Sequence, residues 1–156
     1  MYALPENVHT IPGDDMNSQE LLSTLLKTTQ AGQIEIRSIL DGAMSPSLRS
    51  VLQSQLREYD DMETEALTLA LQRGWDLKSL ASGARFLTDR FTRIRRSRRD
   101  MDSKIAEVMI RKNTKAMISG LKYLHQYKGQ DSQLCILAQK LLDCETAHIR
   151  RLQSYL

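Results

Sequence analysis

The sequence predicts an all-α protein: a four-helix bundle of two antiparallel hairpins joined by a long connection that carries a short extra helix. Three observations predict it. Apolar residues recur at helical spacing through four long segments. Those segments begin and end on residue types that start and stop helices. The β-branched runs and two-residue Asn-Gly turns of a sheet protein are missing. The chain has 156 residues, 41% hydrophobic and 26% charged, a balance that suits one globular domain with a real core. Seven Met against two Phe and one Trp point to aliphatic, helical packing.

Residues 1–17 hold Pro5, Pro12, Gly13 and the pair Asp14-Asp15 without periodicity, and are expected to form an extended or disordered tail. Residues 18–156 are expected to form a single helical-bundle domain. The first helix is predicted over 18–41. Asn17-x-x-Glu20 has the form of a capping box at its start, and Gly42 stands where a C-cap glycine belongs. Its stripe is Leu21, Leu22, Leu25, Thr29, Gly32, Ile36, Ile39 and Leu40. The second helix is predicted over 46–73, with Ser45 as N-cap, Pro46 at the first helical position and Gly74 as the stop. Leu48, Leu52, Gln55, Leu56, Tyr59, Met62, Glu63, Ala66 and Ala70 lie along its inner face. The short gap between these two helices makes them antiparallel neighbours.

A shorter helix is predicted over 79–97, where Leu80, Ala84, Leu87, Phe91 and Ile94 alternate four- and three-residue steps. The third helix is predicted over 101–127, with Ile105, Ala106, Met109, Asn113, Ala116, Met117, Gly120 and Leu124 inward. After the turn Lys128-Gly129-Gln130-Asp131, the fourth is predicted over 131–155. Leu134, Leu137, Ala138, Leu141, Cys144, Glu145, His148, Leu152 and Tyr155 share one of its faces.

The composition excludes several classes. No apolar run is long enough to span a membrane, and the first residues lack the apolar core of a signal peptide. Cys135 and Cys144 are nine residues apart on one helix, ~13 Å at 1.5 Å per residue, too far to bridge. Free thiols without an export signal imply a cytoplasmic protein. There is no Gly-rich phosphate loop, nucleophile elbow or Cys-x-x-Cys pair.

Two features carry chemistry. The first is Glu145-Thr146-Ala147-His148, whose acid and imidazole both fall on the apolar stripe. Polar groups turned into a core cost several kcal/mol unless paired or ligated. Asn113 and Glu145 are each sixteen residues from Gly129, so on neighbouring antiparallel helices they stand at one level, with His148 one turn further. Gln55, Tyr59 and Glu63 are the inward polar residues of the second helix. Glu58 and Asp61 are expected to point away from the stripe.

The second feature is a run of arginines: Arg85, Arg90, Arg93, Arg95, Arg96, Arg98 and Arg99. Against the single Asp89 they give segment 85–99 a net charge of +6 in a chain of net +3, so the remainder carries −3. Such a patch suits an acidic protein surface or a nucleic acid, although the aromatic platforms of a nucleic-acid module are missing. The expected contact is with the acidic face of a second copy, giving a homodimer.

The two hairpins, the long connection and the last Glu145-x-x-His148 together resemble the ferritin-like superfamily of bundles, including small bacterial members with a degenerate metal site. The resemblance covers roughly residues 18–156. It implies inward carboxylates on the first and third helices and a second Glu-x-x-His on the second. Here Thr29 and Gly32 face inward on the first helix, Asn113 stands on the third, and the second helix offers Glu58-x-x-Asp61. Two divalent metals need about four carboxylates. Three readings stay open: a two-metal oxidase or iron store, a single iron or other divalent metal on Glu145, His148 and Glu63, or a polar core layer of Asn113, Tyr59 and Gln55 around Glu145 and His148 with no cofactor. The favoured reading is a non-catalytic structural or interaction protein, with metal binding and anion or nucleic-acid binding as alternatives.

Overall fold

The computed structural model describes residues 16–77 and 98–156, the side chains of Arg98 and Arg99 excepted. It contains α1 (Ser18–Leu40), α2 (Pro46–Arg73), α3 (Arg98–Gln126) and α4 (Ser132–Gln153). Among the described residues there is no strand; Met16 and Tyr127 form one isolated bridge, the Met16 amide donating to the Gln126 carbonyl at 2.9 Å. The described residues are thus all-α, four helices arranged consistently with a bundle. The short helix predicted over 79–97 falls outside the described residues, and so does most of the expected tail.

Local chemistry accounts for the starts of α1, α2 and α4 and the end of α2. Asn17 accepts from the Glu20 amide at 2.8 Å, and Glu20 accepts in return from the Asn17 amide, which completes the capping box. Ser45 caps α2 through the Leu48 amide, with Pro46 following it. Asp131 caps α4 through the Leu134 amide. Gly74 ends α2 at φ +70°, its amide on the Leu71 carbonyl and that of Trp75 on Ala70. This is the paired 6→1 and 5→2 closure that needs a left-handed residue.

The end of α1 differs from expectation. The cap is Asp41 in right-handed helical geometry, and Gly42 has no positive φ. The Arg49 guanidinium explains the difference: it donates to the carbonyls of Leu40 at 2.7 Å and Gly42 at 2.9 Å. A side chain from α2 satisfies the last carbonyl of α1 and that of Gly42 beyond it, so no left-handed closure is required.

The core joins Leu21, Leu22, Leu26 and Ile36 of α1 to Leu48, Leu52 and Met62 of α2, Ile105 and Met109 of α3, and Leu134 and Leu152 of α4. Their close packing removes apolar surface from water, at about 25 cal/mol per Å². Asp102 of α3 accepts the Ser45 amide at 2.9 Å, which ties the start of α3 to the turn between α1 and α2. The ends of α3 and α1 are joined by Ser18 and Tyr127, hydroxyl to hydroxyl at 2.7 Å. No helix among the described residues is long and apolar enough to cross a membrane.

Candidate functional site

Glu145 and His148 are three residues apart on α4, so one turn of helix sets both into the core, at 1% and 0% exposure. They turn to different partners. Glu145 Oε1 accepts from the Tyr59 hydroxyl of α2 at 2.6 Å. His148 Nε2 meets Glu58 Oε2 at 2.5 Å, and the second oxygen of Glu58 accepts from Arg151 at 3.1 Å. The Tyr59 ring also packs edge-on against the His148 ring, centroids 5.2 Å apart. It lies so close to α1 that a Cβ at Gly32 would come within 2.7 Å of it. A hydrogen at position 32 is what admits the ring.

Several sequence expectations change here. Glu58 does not point away: its Cα lies off the stripe of α2, but its three-bond side chain reaches back to His148. Glu63, a candidate ligand beside Glu145 and His148, instead accepts from Gln30 at 3.0 Å. Asp61 is exposed. Asn113 is buried as expected, yet its Nδ2 has no hydrogen-bond partner, and both side-chain polar atoms of Gln55 lack one too. Glu145 Oε2 and His148 Nδ1 are likewise unpaired. Gln30 and Gln33 of α1 stand beside its predicted stripe and are nevertheless buried; Gln33 donates to Asp60 at 2.7 Å. Arg85, Arg90, Arg93, Arg95 and Arg96 lie outside the described residues, as do the side chains of Arg98 and Arg99.

The electrostatics follow from burial. Burial pushes the Glu145 carboxyl up to about 7, opposed by the Tyr59 hydrogen bond and assisted by the negative charge of Glu35. Burial holds His148 below its ordinary value, more strongly than Glu58 raises it. The imidazole is therefore neutral at pH 7, with the proton assigned to Nε2 by the carboxylate it faces. Burial raises Glu58, but hydrogen bonds from His148 and Arg151 outweigh it and leave the acid below its usual value. Cys144 is pushed up to about 11 by burial, next by Glu58 and Glu145, which leaves it a thiol rather than a nucleophile. Both Cys135 and Cys144 are free.

A metal would need donors aimed at one point. Among the described residues no group of three or more His, Cys, Asp or Glu side chains could hold one. The donor set of Glu145, His148 and Glu63 does not fit: each is turned to a separate partner.

Two openings reach these pairs. A cavity of about 320 Å³ has Tyr59, Asn113 and Glu145 at its buried end and Gly32 and Ala116 in its walls. Across it, Lys112 of α3 pairs with Glu35 of α1. A groove of about 540 Å³ between α2 and α4 is lined by Glu58, Lys140, Cys144 and Arg151.

No protein-family model matches the chain. No curated protein matches it either. One similar solved structure is the crystal structure of a conserved hypothetical protein, Rv2844, from Mycobacterium tuberculosis. The two are 13% identical and superpose with a TM-score of 0.68, over 89% of this chain and 96% of that one. That likeness concerns the helical fold alone.

Proposed function

We propose that this chain is a non-catalytic helical-bundle protein on the ferritin-like plan, in which the inner polar pairs join helices instead of ligating metal. The observation that carries the reading is the divergence of Glu145 and His148, one bonded to Tyr59 and the other to Glu58. The antiparallel hairpin plan is supported by contacts that step down one helix as they step up the next. Gln30 pairs with Glu63 and Gln33 with Asp60; Gly120 lies against Leu142 and Met117 against Thr146.

Each inner pair replaces water contacts that the groups would lose on burial. The net gain is about 1 kcal/mol, but breaking a pair leaves a buried group unsatisfied and costs about 1–3 kcal/mol. Such pairs fix which helices meet and at what level more than they add to stability.

The test is elemental analysis of the chain after incubation with Fe(II), Mn(II) and Zn(II) and exhaustive dialysis. The expected result is well below one ion per chain for each metal. One or two ions per chain that disappear in Glu145→Ala would overturn the reading.

A further inference from the structure

We propose that the solvent face of α3 docks the chain peripherally on an anionic phospholipid surface. This goes beyond the reading above and depends on neither the ferritin-like plan nor metal content.

The face is a straight basic strip. Lys104, Arg111, Lys115 and Lys122 follow one another at seven-, four- and seven-residue steps, which are two turns, one turn and two turns of helix. They therefore stand in one line, about 27 Å long at 1.5 Å per residue. That line runs along the side of α3 opposite the buried Met109 and Asn113. Arg111, Lys115 and Lys122 are exposed, and exposed Lys128 carries the positive charge past the helix end. Between Ser103 and Gln130 the only acid is Glu107, which is bound to Arg111 at 2.7 Å. Lys115, Lys122 and Lys128 pair with no acid among the described residues.

Two apolar side chains lie within the strip. Ile118 is 47% exposed and Leu121 45%, both between Lys115 and Lys122. Cations flanking exposed aliphatic side chains are the make-up of a helix face that lies in a membrane interface. The ammonium groups meet lipid phosphates while Ile118 and Leu121 enter the boundary between headgroups and acyl chains. A flat surface touches every member of a straight line at once. The contact is peripheral, because no described helix is long and apolar enough to cross a membrane.

Other anionic partners suit this face less. α3 is flanked by α1 and α4, whereas the major groove of DNA is only wide enough for a single helix. The strip carries no aromatic ring on which a base could stack. A second copy of this chain brings little free negative charge: Glu58, Asp60, Glu63 and Glu65 of α2 are each bonded within the chain.

The test is co-sedimentation of the full chain with vesicles of phosphatidylcholine alone, or of equal parts phosphatidylcholine and phosphatidylglycerol. Binding to the anionic vesicles only is expected, at ~0.1 M salt but not at ~1 M, where charge interactions reach about 3 Å rather than about 10 Å. Lys115→Gln with Lys122→Gln is expected to bind about 25-fold more weakly, at about fivefold per charge. Ile118→Ser with Leu121→Ser leaves the charge unchanged and is expected to bind at least about fivefold more weakly. Lys27→Gln with Arg57→Gln removes the same charge from α1 and α2 and is expected to stay within about twofold of the native chain. All these positions are exposed, so each variant is expected to keep a cooperative melt. The proposal is overturned if the native chain does not bind anionic vesicles, if phosphatidylcholine alone binds it as well, or if either strip variant binds at native strength. Equal losses in the strip and control charge variants would also overturn it, because net charge rather than this face would then set the affinity. Capture by duplex DNA without vesicle binding would give the face to a nucleic acid and overturn the lipid assignment.

Discussion

Tyr59 and Glu145 hold each other across the interior: the phenol donates to the carboxyl at 2.6 Å, and each side chain is 1% exposed. One oxygen of the acid is satisfied and the other is not. That asymmetry makes the pair both a link between α2 and α4 and the buried end of a cavity.

Glu145 is expected to make the chain less stable as pH rises. Its carboxyl sits at about 7 when folded, against an ordinary value of 4.5. The folded state therefore binds more protons between those values. Its contribution is complete below pH 4.5 and is lost as pH rises through 7, a difference of about 3 kcal/mol at most. His148 acts oppositely: its lowered pKa reduces stability as pH falls below 6.5. Comparison with Glu145→Gln isolates the acid. In urea unfolding the variant should be more stable than the native chain by about 1–3 kcal/mol at pH 8 and nearly equal at pH 5. Equal midpoints at pH 8 would rule this out.

Gly32→Ala should destabilise despite the better helix propensity of alanine, about 1 kcal/mol in an exposed helix. The added methyl would stand 2.7 Å from the Tyr59 ring, which cannot retreat without losing Glu145. A net loss of about 1–3 kcal/mol is expected from overpacking. Thermal melts of Gly32→Ala and of the double variant with Tyr59→Leu provide the check: most of the Gly32→Ala penalty should vanish once the ring is gone.

Glu58→Ala should lower the His148 pKa further, because the carboxylate is the group that raises it. The imidazole then has both nitrogens buried and unpaired, at a cost of about 1–3 kcal/mol. Titration of the His148 ring proton by NMR reads the shift directly. In the native chain the midpoint should lie below 6.5, and an unchanged midpoint in the variant would show that the Glu58 contact is not formed in solution.

Arg49→Met should free the Leu40 and Gly42 carbonyls and cost about 1 kcal/mol, with loss of amide protection confined to the last turn of α1. Hydrogen exchange across 36–42 distinguishes this from a general loss of stability. Uniform loss along the helix would count against a capping role.

The sequence by itself determined where helices begin and end wherever the deciding bonds lie within a few residues. Asn17 with Glu20, Ser45 with Pro46, Gly74, and Asp131 all act locally, and the observed bounds of α2 match the expected 46–73. It also determined the inward direction of Glu145, His148 and Asn113, because helical period fixes the direction of a Cα–Cβ bond. Tertiary structure alone decided where flexible side chains end. Glu58 starts off the stripe and still reaches His148, Glu63 starts near it and turns to Gln30, and Arg49 crosses to the end of α1 and removes the need for a left-handed Gly42. Period specifies a direction at Cβ but not a destination three or four bonds further, which depends on the helix packed opposite. The cavity between α1 and α3, to which α2 and α4 add Tyr59 and Glu145, belongs to that same class: it exists only once the helices have set the space between them.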